Sequence, residues 1–434
     1  MLPVDKQLLK DAMGKMHIAD ITTATIRQIV MLSKQVEATT GEEFIHLEMG
    51  NPGLPSVEIG VETECAALRG GIANKYPAIE GFPELKKNAS DFLKAFFNLD
   101  VDPKYFIPTV GSMQGSFTTL MALKQRLEGK DSMLYLNPGF PAQRNQAKLL
   151  GINEISLDIY DYRGKPLEAK LDEILGKGNV TGILYSTPNN PAWTNLTEEE
   201  LEIIGRMATK HDVIVVEDHA YVGMDFRKNF GIPYEPPYVP TVARYTDNYI
   251  LLLSASKIFS YAGQRIACVC MSPAVYERKY PFFASYYEMP AFGDAYVYGI
   301  LYCASSGTCH SAQYAMSALL KAAVEGSFNF VDYCHDYKER GHKARAAFLD
   351  NGFHLVYEKD GEETISDGFF FTVGYKDLTG EELQKELMRY GVATISLPST
   401  GSLREGLRIC VSTLTSEHLF EILNSRLKLF NEQH

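Results

Sequence analysis

Residues 182–221 read GILYSTPNNPAWTNLTEEELEIIGRMATKHDVIVVEDHAY. The stretch opens on an apolar strand at 182–185 and enters the polar loop Ser186-Thr187-Pro188-Asn189-Asn190-Pro191. A helical pattern with a Glu-rich first turn follows at 197–211, and a β-branched strand at 213–217 closes the unit. Working outward, strands are predicted at 132–136, 154–157, 249–253 and 266–271, with amphipathic stretches between several of them. Strands alternating with helices imply an α/β fold: a three-layer large domain with a mainly parallel sheet covered on both faces. In such sheets ligands gather at the carboxyl ends of the strands. Those positions are polar here: Asn137-Pro138-Gly139-Phe140, the 186–191 loop, Asp218 with Tyr221, and Ser254-Ala255-Ser256-Lys257.

The last hundred residues read differently. A helical pattern at 328–351 leads into short strands at 369–373, 393–396 and 407–411. A smaller α+β domain is expected there, completed by the N-terminal segment. The division expected is 54–320 for the large domain, with 1–53 and 321–434 forming the small one. The 434 residues, 45% hydrophobic and 22% charged, suffice for such cores. A net charge of −12 disfavours a nucleic-acid partner. The seven cysteines are scattered and odd in number, so they read as reduced, mostly buried thiols, and no metal site is expected. Met1 to Gly14 is polar, without the apolar stretch of a secretion signal, and no apolar run approaches the ~20 residues of a membrane span. No membrane association and a cytoplasmic location are expected.

Each polar strand end has a chemical reading and a plainer one. Lys257 follows an apolar strand, and no charged residue comes after it until Arg265. A lysine in dry surroundings loses proton affinity and becomes a nucleophile or base; one that snorkels from a strand end does not. Asp218 ends the run Val213-Ile214-Val215-Val216-Glu217 and needs a partner, which a cationic ring nitrogen, an arginine or a helix N-terminus would supply. Gly111-Ser112-Met113-Gln114-Gly115-Ser116 precedes a helical run at 117–127. Such a turn presents backbone amides to an anion, or is a plain N-cap. It has neither Walker nor dinucleotide-binding spacing. Arg265 and Arg408 call for a carboxylate or phosphate to fork against, and an internal salt bridge is the plainer account of each. Asn190 closes a turn on the plain reading, while Tyr76, Tyr221 and Phe140 are half-buried or core aromatics.

Together these residues carry a resemblance. Ser256-Lys257-Ile258-Phe259-Ser260-Tyr261-Ala262-Gly263-Gln264-Arg265 resembles the SKxFxxxGxR motif of the aspartate aminotransferase superfamily, the class I and II aminotransferases of fold type I. Pro188-Asn189-Asn190-Pro191 resembles that family's PNNP loop, Asp218 with Tyr221 its D-x-x-Y, Tyr76-Pro77-Ala78-Ile79-Glu80-Gly81 its Y-P-x-x-E-G, and Gly50-Asn51-Pro52 its early G-x-P. Order and spacing agree from about residue 26 to residue 413.

The resemblance implies a pyridoxal 5'-phosphate enzyme that moves an amino group from an amino acid to a 2-oxo acid by a ping-pong mechanism. Lys257 would hold the cofactor as a Schiff base, and Asp218 would keep its ring nitrogen protonated. Asn190 and Tyr221 would hydrogen-bond the phenolic oxygen, and Phe140 would lie on the ring face. Ser112, Met113, Gln114, Ser254 and Arg265 would take the phosphate, joined by Tyr76 of a neighbouring subunit in a homodimer. Arg408, with Asn190 and Gly50, would receive the substrate and its α-carboxylate. Lyases, decarboxylases and synthases share these motifs and are the alternative, with a ligand-sensing regulator a more distant one.

Two departures stand out. The family loop often continues Asn-Pro-Thr-Gly, where this chain has Asn190-Pro191-Ala192-Trp193; and His219 follows the aspartate in place of the more usual Glu, Asp or Pro. In addition, 281–310 contains no Arg or Lys, which argues against gripping a side-chain carboxylate there. Its Tyr286, Tyr287, Phe292, Tyr296 and Tyr298 line an aromatic pocket or, on the reading favoured, belong to the core.

Overall fold

The computed structural model describes residues 2–434. Seven strands build the principal sheet: β1 (Phe106–Val110), β2 (Ser132–Asn137), β3 (Asn153–Asp158), β4 (Val180–Ser186), β5 (Ile214–His219), β6 (Tyr249–Ser254) and β7 (Ile266–Met271). Their spatial order is β1–β7–β6–β5–β4–β2–β3. Strands β2 to β6 run parallel, while β7 is antiparallel to both its neighbours, β6 and β1. The strands predicted between 132 and 271 all lie in this sheet. Strand β1 escaped prediction because Pro108 interrupts its pattern, and a proline is tolerated there because β1 is an edge strand.

Alternation along the strands divides the apolar side chains between two cores. Ile183, Val215, Leu251 and Leu253 enter one, and Leu184, Ile214, Val216, Ile250 and Leu252 enter the other. Burial on both faces is why these strands read as unbroken apolar runs. Each such side chain contributes about 1.5–3 kcal/mol on leaving water. The helix Glu198–Lys210 covers one face, and its start is fixed by a capping box between Thr197 and Glu200. The helix Gly111–Arg126 begins at Gly111 itself, so the Gly/Ser-rich segment is its first turn and does not precede it.

A second sheet is antiparallel, in the order Ile395–Ser396, Leu407–Cys410, Phe370–Gly374, His354–Leu355. The strand predicted at 393–396 is two pieces. Val392–Ala393 pairs in parallel with Ile45–His46, while Ile395–Ser396 pairs with Leu407 and Arg408. The N-terminal helices Lys6–Lys15 and Ile26–Thr40 share a core with Met388, Ala393 and Ile395, so the N-terminal segment sits with the C-terminal part. Among the described residues no helix is long and apolar enough to cross a membrane. All seven cysteines are free, four of them buried.

Candidate active site

Strand β7 starts at the edge where β4, β5 and β6 end, because it runs against them. Gly111, Asn190, Asp218, Lys257 and Arg265 are thereby brought to one rim of the sheet, although more than 150 residues of chain separate the first from the last. The second sheet faces this rim through Phe369, Phe370 and Arg408.

Lys257 Nζ donates to the carbonyl of Gly50 and lies 5.5 Å from the centre of the Phe369 ring. Among the described residues no carboxylate pairs with it. Burial, helped by the positive charges of Arg265 and Arg408, lowers its pKa to about 8. The amine is therefore within reach of its neutral, nucleophilic form near physiological pH.

Asp218 closes β5. Its Oδ2 accepts from Gln143 Nε2 at 2.8 Å and its Oδ1 from the Ala220 amide at 3.1 Å. No lysine or arginine among the described residues pairs with it, and burial pushes its pKa up to about 6 against those two hydrogen bonds. A buried carboxylate in this state gains from any cation that reaches it. Gln143 was not singled out in the sequence, because nothing local marks a glutamine in the helix Pro141–Leu149 as the neighbour of a residue 75 positions on.

Arg408 is 1% exposed. One terminal nitrogen donates to the Glu48 carbonyl, the other to Asn190 Oδ1 at 3.4 Å, and the buried Nε has no partner. Its guanidinium carbon stands 5.0 Å from the centre of the Phe370 ring. The internal salt bridge that was the plainer reading does not form, since among the described residues no carboxylate lies within ion-pair distance. The Tyr221 hydroxyl meets the Asn190 side chain, and burial raises its pKa far above the ordinary value. Gly50 packs on the Phe370 edge, where an added Cβ would sit 3.4 Å away.

A cradle for an anion lies at the start of the helix Gly111–Arg126. Its first-turn amides have no intrahelical acceptor, and the buried Ser112 Oγ has no partner. Gly111 has φ +66°, and a Cβ there would come within 2.6 Å of Arg265 Nη2. The guanidinium thus lies over the helix end, held by the Ala262 carbonyl at 2.7 Å, with no carboxylate partner among the described residues. Ser254 Oγ accepts the Ser256 amide at 3.1 Å. Gln114 turns back: its Oε1 accepts the Val110 amide at 2.8 Å. The Met113 side chain is partly exposed, Phe140 is half-buried as the N-cap of the helix Pro141–Leu149, and Tyr76 is 93% exposed. In 281–310, Phe292 and Tyr296 are core, whereas Tyr286 and Tyr298 reach solvent.

Donors for a phosphate, a buried carboxylate for a ring cation and a lysine of lowered proton affinity fit pyridoxal phosphate. The family model for class I and II aminotransferases matches residues 42–425. The chain belongs to this family. Class I and II aminotransferases depend on pyridoxal phosphate. The aspartate aminotransferase of Pyrococcus horikoshii is 24% identical over 233 residues, 54% of this chain and 56% of that protein. The LL-diaminopimelate aminotransferase of Dehalococcoides mccartyi is 27% identical over 242 residues, 55% and 60% of the two chains. Alignments with the curated relatives cover between 54% and 62% of their length. In structure, an aminotransferase from Mycobacterium tuberculosis superposes with a TM-score of 0.76 at 17% identity, over 94% of this chain and 96% of that one. At that identity the likeness is one of fold.

Proposed function

We propose that this chain is a pyridoxal-phosphate-dependent aminotransferase that passes an amino group from an amino acid to a 2-oxo acid. One observation carries the reading. Two cations, the partly buried Lys257 and the buried Arg408, hang on the carbonyls of one short segment, Gly50 and Glu48, and neither has a carboxylate partner among the described residues. Such a pair is costly unless an anion comes between them.

When bound, the cofactor supplies an electron sink for the bond broken at the substrate α-carbon. Lys257 Nζ would hold it covalently, then, once freed by the incoming amine, take the α-proton and return it. Asp218 would keep a proton on the ring nitrogen, its charge stabilised by the cation it lacks in the bare protein. Asn190 and Tyr221 would orient the phenolic oxygen, and Phe140 would pack on the ring. Ser112, the amides of Met113 and Gln114, Ser254 and Arg265 would take the phosphate. Arg408 would grip the α-carboxylate beside Asn190 and Gly50. The missing cation in 281–310 points away from substrates with a second carboxylate held there.

We assign the site to a homodimer. Tyr76 is exposed in the single chain, as are Leu68, Tyr298 and Tyr302, and an aromatic at 93% exposure is suited to entering a partner's site. We further assign 54–320 to the cofactor-binding domain and the rest to the small domain, and place the enzyme in the cytoplasm, where seven free thiols stay reduced.

The test is a visible spectrum of the purified protein with a panel of amino acids, beside Lys257→Ala. A yellow protein that bleaches with a donor and recovers with an oxo acid is expected, with parallel lines in initial-rate plots. Release of ammonia without recovery would move the reading to a lyase, and a protein colourless after added pyridoxal phosphate would end it.

A further inference from the structure

Trp193, the only tryptophan in the chain, stands where the family loop often has glycine. Its φ is +61°, in the left-handed region that glycine enters freely and a bulky side chain rarely does. Such an outlier persists only where its surroundings hold it. The indole is completely buried, and what holds it comes from the turn after β5 and from the segment that leads into the strand Phe370–Gly374. Its Nε1 donates to Ser366 Oγ at 3.0 Å. Its edge lies on Gly368 so closely that a Cβ there would come within 2.2 Å of Nε1, so no other residue fits. The ring stands edge-on to Tyr221 at 5.5 Å and to Phe370 at 6.0 Å. The Trp193 amide donates to Asn189 O at 2.9 Å, tying the indole to the loop that bears Asn190.

We propose that Trp193 is a positioning residue that sets two halves of the site against each other. On one side it backs Tyr221, whose hydroxyl meets Asn190. On the other it seats the Ser366–Gly368 segment, and hence Phe369 under Lys257 and Phe370 under Arg408. The cofactor-facing hydroxyl and the platform beneath the carboxylate-binding arginine thus share one rigid support. The inference rests on the aminotransferase reading of the site.

Trp193→Phe removes the indole N–H and trims the ring, Trp193→Gly frees the backbone as well, and Ser366→Ala removes only the hydrogen-bond acceptor. In the holoenzyme, the first two are expected to move the pH midpoint of the bound cofactor's visible absorption by about half a unit or more. They should also raise the donor KM about tenfold, with kcat changed less than roughly threefold. Ser366→Ala should move both readouts the same way by less. A loss of thermal stability with both readouts unmoved in the Trp193 variants would reduce the residue to a packing role and overturn the proposal. Should neither Trp193 variant fold, Ser366→Ala decides, and unmoved values overturn it. The cofactor-free wild type separates this from the underlying reading. Pyridoxal phosphate added to it should quench the tryptophan emission, and an unquenched spectrum would instead displace the cofactor from this site.

Discussion

Glu217 and Asp218 are consecutive on β5 and both buried, yet the fold treats them in opposite ways. Alternation sends them to opposite faces of the sheet. Glu217 receives the Tyr185 hydroxyl at 3.0 Å, His219 Nε2 at 3.0 Å, Thr241 Oγ1 at 2.5 Å and the Val242 amide. Asp218 receives one amide side chain and one backbone N–H. The two most deeply buried arginines among the described residues divide in the same way. Arg126 spends its donors on Thr181, Asp212 and Tyr280, whereas among the described residues Arg408 has no carboxylate partner and no acceptor for its Nε. Saturated groups bind the fold together, and the under-supplied ones lie at the strand ends proposed as the site.

The sharpest break of this contrast is between two lysines, because burial lowers the pKa of both Lys130 and Lys257. Lys130 donates to the carbonyls of His211 and Asp212 at 2.8 and 2.6 Å. Lys257→Ala should cut turnover by about 10⁴-fold, the upper range for losing a positioned base, while Lys130→Ala leaves kcat within about threefold. Steady-state kinetics on both would reverse the contrast if Lys130 mattered equally.

Next come the neighbouring carboxylates. Asp218→Asn should lower kcat/KM by on the order of 10²–10³-fold with the fold intact. Glu217→Gln should cost about 2–4 kcal/mol in urea unfolding, because an amide cannot accept from so many donors. Arg408→Lys should raise the donor KM about tenfold or more with little change in melting temperature, and Arg126→Lys should do the reverse.

The smallest effect is a slope. Folding raises the pKa of Asp218 from 3.8 to about 6, so between those values the native state holds a proton that the unfolded chain releases. Cofactor-free protein should therefore lose stability as pH rises through that window, by on the order of 3 kcal/mol in total at about 1.4 kcal/mol per unit. Urea titrations from pH 4 to 7 should show a component of this loss that Asp218→Asn removes; identical slopes would mean that Asp218 is not held in the protonated state.

Much of this was legible in the chain. The 213–217 run and its neighbours announced a sheet buried on both faces, and the polar residues at their ends announced its rim. The motifs singled out Lys257 and Asp218 as candidates, and the resemblance added Arg408. Strand β1 was hidden by Pro108, and Gln143 and Trp193 were hidden as partners. Their importance comes from contacts with Asp218 and with Ser366 and Gly368, which lie far along the chain.

Sequence by itself determined most of the strands and helices and singled out the candidate side chains, because periodicity and local motifs are properties of neighbouring residues. Tertiary structure alone decided which buried polar groups are satisfied. Glu217 and Asp218 are both acidic residues at one strand end, and only packing from distant segments supplies the first with donors and leaves the second wanting a cation.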